Sequence, residues 1–343
     1  MPSGNAHMYR QLNGRRLLTG MVLAILTLGL IVMDLGMGSS GIGPGEVVEA
    51  LLGGPDGDTA NTAILWSIRL PMTLTCVFVG GSLSLAGLQI QTITNNALAS
   101  PYTLGITASA SFGAAIAITL GLSVAGYLWI GTALLALVFA LAVSLLIFYL
   151  GRLKGMSTST LILSGIIMNF FFQALQQYLQ YRASPEIAQI ISGWTFGNLQ
   201  RSSWMSVVVS GCLLVMGAAL LSGWSWRLTV LTTGEERARS LGINVERLRL
   251  HVFLICSFLI AGAVGFIGTV AFVGLVAPHC AKLMLGEDQR YLLPSATILG
   301  SLMLLASSVV SKLLSGGSML PVGIITSIVG VPFLFVLLMK NGR

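Results

Sequence analysis

Long apolar runs alternate with short polar breaks along the whole chain, and the runs have the length of membrane crossings. In order they predict helices over about 17–38, 62–91, 101–120, 124–150, 157–181, 204–223, 251–274, 292–313 and 320–339. A shorter apolar piece, about 278–286, follows Pro278. A crossing takes about 20 residues, so this piece is short by the usual rule; counted as a tilted or partial span, it makes ten. From Leu70 to Gly151 there is no Asp, Glu, Lys or Arg, a stretch of about 80 residues that holds roughly three crossings. A membrane barrel would show short alternating segments instead. The expected fold class is an all-α polytopic membrane protein of about ten transmembrane helices, one transmembrane domain over 1–343.

Composition agrees. Of the 343 residues 55% are hydrophobic and 8% charged, where a soluble domain carries about 25% charged residues. Lipid must therefore be the solvent for much of the surface. The polar, basic stretch Met1–Arg16 precedes an apolar run that is too long for a cleavable signal and lacks a clear small-residue cleavage site, so the first span is expected to be retained. Cys76, Cys212, Cys256 and Cys280 lie far apart in or beside apolar segments and read as small core residues. His7, His251 and His279 are equally scattered, and no metal site is expected.

Charge sets the orientation. With the N-terminus inside and ten crossings, 14 of the 18 basic residues fall on inner segments; Arg69, Arg182, Arg201 and Lys312 fall on or near the outer face. That is the positive-inside pattern with both termini inside. Nine crossings would put Lys340 and Arg343 outside, so the bias favours counting the short piece. It also accounts for the basic pI of about 9.5 without a nucleic-acid partner.

Charge is otherwise concentrated in one island, Trp224–Leu250, which holds Arg227, Glu235, Glu236, Arg237, Arg239, Glu246, Arg247 and Arg249. Thr233 followed three residues later by Glu236 fits a capping box, predicting a helix of about two turns to Leu241. Gly242 suits the left-handed residue that ends it, and Asn244 suits the cap of the next helix. A helix-turn-helix against the inner face is expected, with a plain solvated loop as the alternative.

On the predicted helix 157–181, Asn169, Gln173, Gln176 and Gln180 recur at i, i+4, i+7 and i+11, which places four amides on one face. Polar groups in lipid must face protein or water. They line a translocation path or form hydrogen bonds between helices. Other chemistry is missing. Asp34 near a span end is almost the sole carboxylate of the spans, whereas ion-coupled carriers place ionisable groups at mid-membrane. There is no GxxxxGK[ST], HExxH or GxSxG; GxGxxG at Gly36–Gly41 follows an apolar run, not a strand. Energy supplied by another chain is the favoured expectation, and an ion-coupled secondary transporter of a polar solute is the alternative.

Several stretches together resemble one family. They are Ile68–Pro71, Gln91–Gly105, Ala238–Val245, Phe272–His279, Gly286–Arg290, Leu293–Pro294, Leu320–Gly323 and Gly330–Phe333. In this order they resemble the FecCD-type permeases of bacterial ABC importers for ferric siderophores, haem and cobalamin. The resemblance implies type II importer architecture in the bacterial cytoplasmic (inner) membrane. The implied partners are a second permease subunit, two cytoplasmic ATPases that bind ATP and magnesium, and an extracytoplasmic substrate-binding protein; this chain would hold no cofactor and have no catalytic residue. It implies that coupling helices at about 232–249 contact the ATPase through Thr233, Glu235, Glu236, Arg237, Arg239, Leu241, Gly242 and Asn244, with the Gly286–Arg290 turn adding to the contact. It implies that Arg69 and Lys312 dock the binding protein and that Asn96, Leu98, Thr158 and Ser159 form a cytoplasmic gate. The chain departs from the family pattern at Met72, Ala97, Lys282, Ser307–Ser308 and Met319. That hints at one member of a heterodimer and leaves a homodimer open.

Overall fold

The computed structural model describes residues 3–38, 43–55, 59–124, 127–316 and 319–341. The end of the Gly36–Gly41 pattern and part of the first outer loop lie outside these residues. The described chain is helical, apart from a single bridge between Val124 and Tyr127. The elements are α1 (Ser3–Gly36), α2 (Pro44–Leu52), α3 (Ala60–Ile64), α4 (Leu70–Thr94), α5 (Ile106–Thr119), α6 (Leu128–Leu153), α7 (Thr158–Arg182), α8 (Pro185–Thr195), α9 (Trp204–Gly223), α10 (Ser225–Thr232), α11 (Glu235–Ser240), α12 (Val245–Ile267), α13 (Val273–Leu285), α14 (Gln289–Leu314) and α15 (Val322–Asn341). A π-helical turn, Leu65–Arg69, joins α3 to α4 without a break. Among the described residues, seven helices are long and apolar enough to cross a membrane. Three shorter apolar ones, Ile106–Thr119, Val273–Leu285 and Val322–Val336, complete the ten expected.

The short helix α13 starts at Val273, five residues before the expected start at Pro278, which lies inside the helix. Its preceding loop is beside Trp194, whose carbonyl accepts from the Thr269 amide at 3.2 Å. Its far end reaches the turn where Arg16 lies 3.6 Å from Asp288. It therefore runs from one end of the bundle to the other. Proline in a helix leaves the carbonyl four residues back unbonded, here that of Gly274. That oxygen points at the bare Cα of Gly87 in α4: a Cβ there would be 1.8 Å from it. A Cα–H···O contact thus replaces the missing bond.

Helix α4 is the axis of the fold. Nearly every residue from Pro71 to Thr94 is buried, and α14, α12, α13 and α9 pack around it. Gly80 and Gly300 let α4 and α14 meet backbone to backbone, since a Cβ on either would lie within 2.5 Å of the other's carbonyl oxygen. Small residues at such crossings are how helices associate closely in lipid.

The two ends of the bundle differ as the charge pattern expects. At one end Arg16 meets Asp288 and Arg152 meets Glu246. At the other, Trp66 stacks on Trp204 with centroids 6.1 Å apart. Two amphipathic helices there, α2 and α8, went unanticipated, although each carries proline at its first turn and α8 also has Ser184 as cap. Helix α12 takes in the end of the charged island and stops at Ile267, not 274; α5 starts at Ile106, after the Pro101 turn.

Gly87→Ala should destabilise the protein by about 3 kcal/mol, the upper end for overpacking, because a backbone carbonyl cannot step aside. Gly29→Ala in α1, with nothing within 4 Å of its added methyl, should be neutral or slightly stabilising. Thermal unfolding of both variants in detergent tests the pair; equal melting temperatures would contradict the contact.

Candidate functional site

The charged island folds as α10, α11 and the first turns of α12. Thr233 does not cap α11 as a capping box requires. It ends α10, and its hydroxyl donates back to the Val230 carbonyl at 2.8 Å. Gly234, at φ 122°, is the residue before α11 and makes no side-chain cap. The motif fails because α10, unforeseen in the sequence, already engages the threonine. The other two signals hold. Gly242 adopts φ 78°, with its amide on Arg239 O and that of Ile243 on Ala238 O, a Schellman ending. Asn244 accepts from the Arg247 amide at 3.0 Å.

Glu235 sits at the start of α11 and its carboxylate joins two arginines. One oxygen accepts from Arg239 at 2.8 Å, the other from Arg249 at 3.0 Å. Arg249 is buried, and it also donates to the carbonyls of Ile93 at 2.9 Å and Met156 at 3.4 Å. The last carbonyls of a helix have no partner within it. Arg249 satisfies one at the end of α4, and Thr158 satisfies the next by donating to Thr94 O at 2.9 Å. The island is thus bolted to the end of the central helix. Ala238 faces inward, while Glu236, Arg237, Arg239, Leu241, Gly242 and Asn244 stay exposed, Leu241 at 57%. In the neighbouring turn, burial alone would raise the Asp288 carboxyl. Hydrogen bonds from the Arg290 side chain and backbone outweigh this and hold it below the usual carboxylate value.

The four residues expected as a gate share this end. Asn96 accepts from the Leu98 amide at 2.8 Å, shaping the turn after α4. Leu98 is 57% exposed. Thr158 ties the start of α7 to α4, and Ser159 beside it is exposed.

Three of the four stripe amides, Gln173, Gln176 and Gln180, line a cavity of about 540 Å³ toward the opposite end, together with Gln177. Gln173 donates to the Tyr102 hydroxyl at 3.1 Å and Gln176 to Thr195 at 2.7 Å. Asn169 does not line it; it accepts from Gln173 at 3.3 Å and so holds that side chain. Thr107, Ser111 and Ser327 also line this space. The Ser111 Oγ is buried and has no partner in the protein. No charged side chain, histidine or cysteine lines the cavity among the described residues. The contributions of α5, α8 and α15 were invisible to a reading along one helix.

Arg69 and Lys312 point into the subunit, contrary to the expectation of an outer docking patch. Lys312 is 6% exposed; its ammonium is 2.8 Å from the Asp34 carboxylate and donates to the Asp34 carbonyl at 2.8 Å. Arg69 is buried and donates to Leu35 O at 2.7 Å and Gly36 O at 3.2 Å, at the end of α1. Both charges are engaged in holding α1 to α4 and α14.

Known proteins resemble this chain over most of its length. The model of the FecCD transport family matches residues 23–340. The hemin transport system permease HmuU of Yersinia pestis is 31% identical over 334 residues, covering 96% of this chain and 98% of the relative. The Fe(3+)-citrate import system permease YfmD of Bacillus subtilis is 30% identical, covering 98% of each. Relatives named for cobalamin and for molybdate import match as well. A solved metal-chelate type ABC transporter, in an inward-facing conformation, superimposes with a TM-score of 0.81 at 29% identity, over 94% of this chain and 98% of that one.

Replacing Arg249 by glutamine leaves two buried carbonyls short of a charged donor and should lower stability by about 2–3 kcal/mol. Glu235→Gln should lower it by less than about 1 kcal/mol, since that side chain is one-third exposed and such pairs are screened. Thermal melts that rank the two variants the other way would show that Arg249 is not the anchor.

Proposed function

The chain belongs to the FecCD transport family and is the permease of an ABC importer, and from that premise we propose that its cargo is a ferric chelate of the siderophore type, carried into the cytoplasm by alternating access. The observation that carries the cargo class is the cavity chemistry. Amides and hydroxyls, interspersed with the apolar surfaces of Phe196, Ile324 and Ile328, line about 540 Å³, and among the described residues no carboxylate, imidazole or thiolate joins them. Such a wall offers no ligand set to a bare ferric ion, which calls for hard anionic or imidazole donors. It suits a large complex of mixed polar and apolar surface that keeps its own ligands around the metal. Relatives named for hemin and ferric citrate support the same class.

The proposed assembly has two permease subunits, alike or different, in a bacterial inner membrane. Two ATPase subunits hold the ATP and magnesium, and an extracytoplasmic binding protein presents the cargo. The exposed face of α11 and its turn, Glu236, Arg237, Leu241 and Asn244, is the proposed ATPase contact. Closure of the ATPases would push on α11, and Glu235 and Arg249 would pass that force to the end of α4. The path itself is Gln173, Gln176 and Gln180, with Asn169 positioning Gln173.

Two measurements test this. In vesicles with trapped ATP, uptake of a radiolabelled ferric siderophore should stop with vanadate and persist with an uncoupler; the reverse would indicate an ion-coupled carrier. The double variant Arg237→Glu, Leu241→Asp should assemble in the membrane yet lose at least tenfold in uptake, a loss of about 1.4 kcal/mol or more. Undiminished uptake would remove these residues from the ATPase contact. A binding-protein partner that co-purifies with molybdate or cobalamin would overturn the iron reading.

A further inference from the structure

A second recess, about 450 Å³, opens at the basic end between the foot of α9, α10 and the start of α12. Trp224, Trp226, Arg227, Arg247 and His251 line it, and its floor is the Leu241–Asn244 turn. Arg227 and Arg247 are exposed, and neither forms an ion pair among the described residues. Glu246 turns away to Arg152 at 3.8 Å. His251 Nδ1 donates to the Arg247 carbonyl at 2.7 Å, and its ring lies 5.5 Å from that of Trp224. The recess thus holds two unpaired guanidiniums beside fixed aromatic rings and presents no carboxylate.

We propose that this recess seats the phosphodiester headgroup of an anionic membrane phospholipid against the coupling turn. The chemistry it recognises is a phosphate anion, for which arginine is the preferred partner. Two observations favour a lipid over free phosphate. Tryptophans mark the level of the membrane interface, and Trp226 is largely exposed here. Above the recess, Met216 and Leu220 continue the i, i+4 row that ends in Trp224, and both are exposed. On α12, Phe258 is exposed two turns above His251. The two helices pack together, so an acyl chain has an apolar track leading up from the headgroup. Of the proposed ATPase contact, Leu241 and Asn244 border the recess, whereas Glu236 and Arg237 do not line it and stay available to a protein partner.

The seat touches Leu241–Asn244, so an occupied recess props the turn that the proposed ATPase contact uses. Anionic lipid would therefore favour transport-competent coupling. The binding itself requires only that this end face the inner leaflet; it does not depend on the nature of the cargo.

The test uses the whole transporter with its ATPases, in lipid nanodiscs of phosphatidylglycerol or phosphatidylcholine. After extraction, native mass spectrometry should find phosphatidylglycerol retained in preference to phosphatidylcholine. The double variant Arg227→Gln, Arg247→Gln should retain about tenfold less, as expected when two interfacial charges are removed. Both residues are exposed, so folding should be unaffected, as a melting curve would confirm. ATP hydrolysis should be faster in phosphatidylglycerol for the parent and insensitive to lipid in the variant. Equal retention of the two lipids, or unchanged retention in the variant, would overturn the proposal. So would complete displacement by millimolar inorganic phosphate, which would mark a free-phosphate site. Loss of the ATPases from the variant with lipid retention unchanged would mark a protein contact instead.

Discussion

Backbone meets backbone along α4, and the remainder of the fold is arranged around that contact. Lipid tails are as apolar as leucine, so burial of apolar side chains does little to draw one span to another. What remains is close packing and internal hydrogen bonding. Gly80 against Gly300 and Gly87 against Gly274 bring α14 and α13 into direct backbone contact with α4. Hydroxyls then bond across the gaps, Ser84 to Ala296 O at 2.6 Å and Thr75 to Ser206 at 2.9 Å. Others fold back on their own helix, as Thr92 does to Leu88 O and Thr94 to Ile90 O. A central post results, on which the Gln89 and Gln91 side-chain oxygens are the buried acceptors left without a partner among the described residues.

A central post matters because both proposed working surfaces are fixed to it. The charged turn of α11 is joined through Glu235 and Arg249 to the end of α4. One residue further on, Thr158 joins the same end of α4 to the start of α7. The other half of α7 carries Gln173, Gln176 and Gln180 into the cavity. A displacement at α11 is therefore met by stiff helices and charged hydrogen bonds, not by a flexible loop. The connection is physical and contiguous, and each link is a named bond that substitution can remove.

How much of this could be read in the sequence depended on whether the signal was local. Span positions and orientation were legible because hydrophobicity and arginine placement are properties of a single segment. Gly242 and Asn244 were legible because caps act within four residues. The capping box at Thr233 failed because a neighbouring helix claimed the same side chain. The start of α13 was missed because proline normally begins a helix, and only Gly87, far away in sequence, makes Pro278 tolerable inside one. Helices α2 and α8 had legible caps but not the length of a span, so hydropathy passed over them. The amide stripe pointed to the cavity, yet Tyr102, Ser111 and Thr195 joined it only through folding. Arg249 looked like one charge among eight, and its burial at the end of α4 is a fact of three dimensions.

The same distinction explains Lys312 and Arg69. Near the outer ends of spans, basic residues ordinarily face water, and sequence position alone places these two there. The structure supplies what position could not, a fully buried Asp34 with Lys312, Ser308 and Thr73 all bonded to its carboxylate. A buried ion pair gains stability only when its remaining lone pairs and protons are also satisfied, and here two hydroxyls do that work. The carboxylate is therefore no free proton or sodium site of the kind an ion-coupled carrier places within its spans. It is a brace that joins α1, α4 and α14 at the end away from the charged turn. Arg69 serves the same junction by occupying the last carbonyls of α1. With Arg249 at one end of the post and Asp34 with Lys312 at the other, the few charges inside this apolar chain sit where helices must not slide.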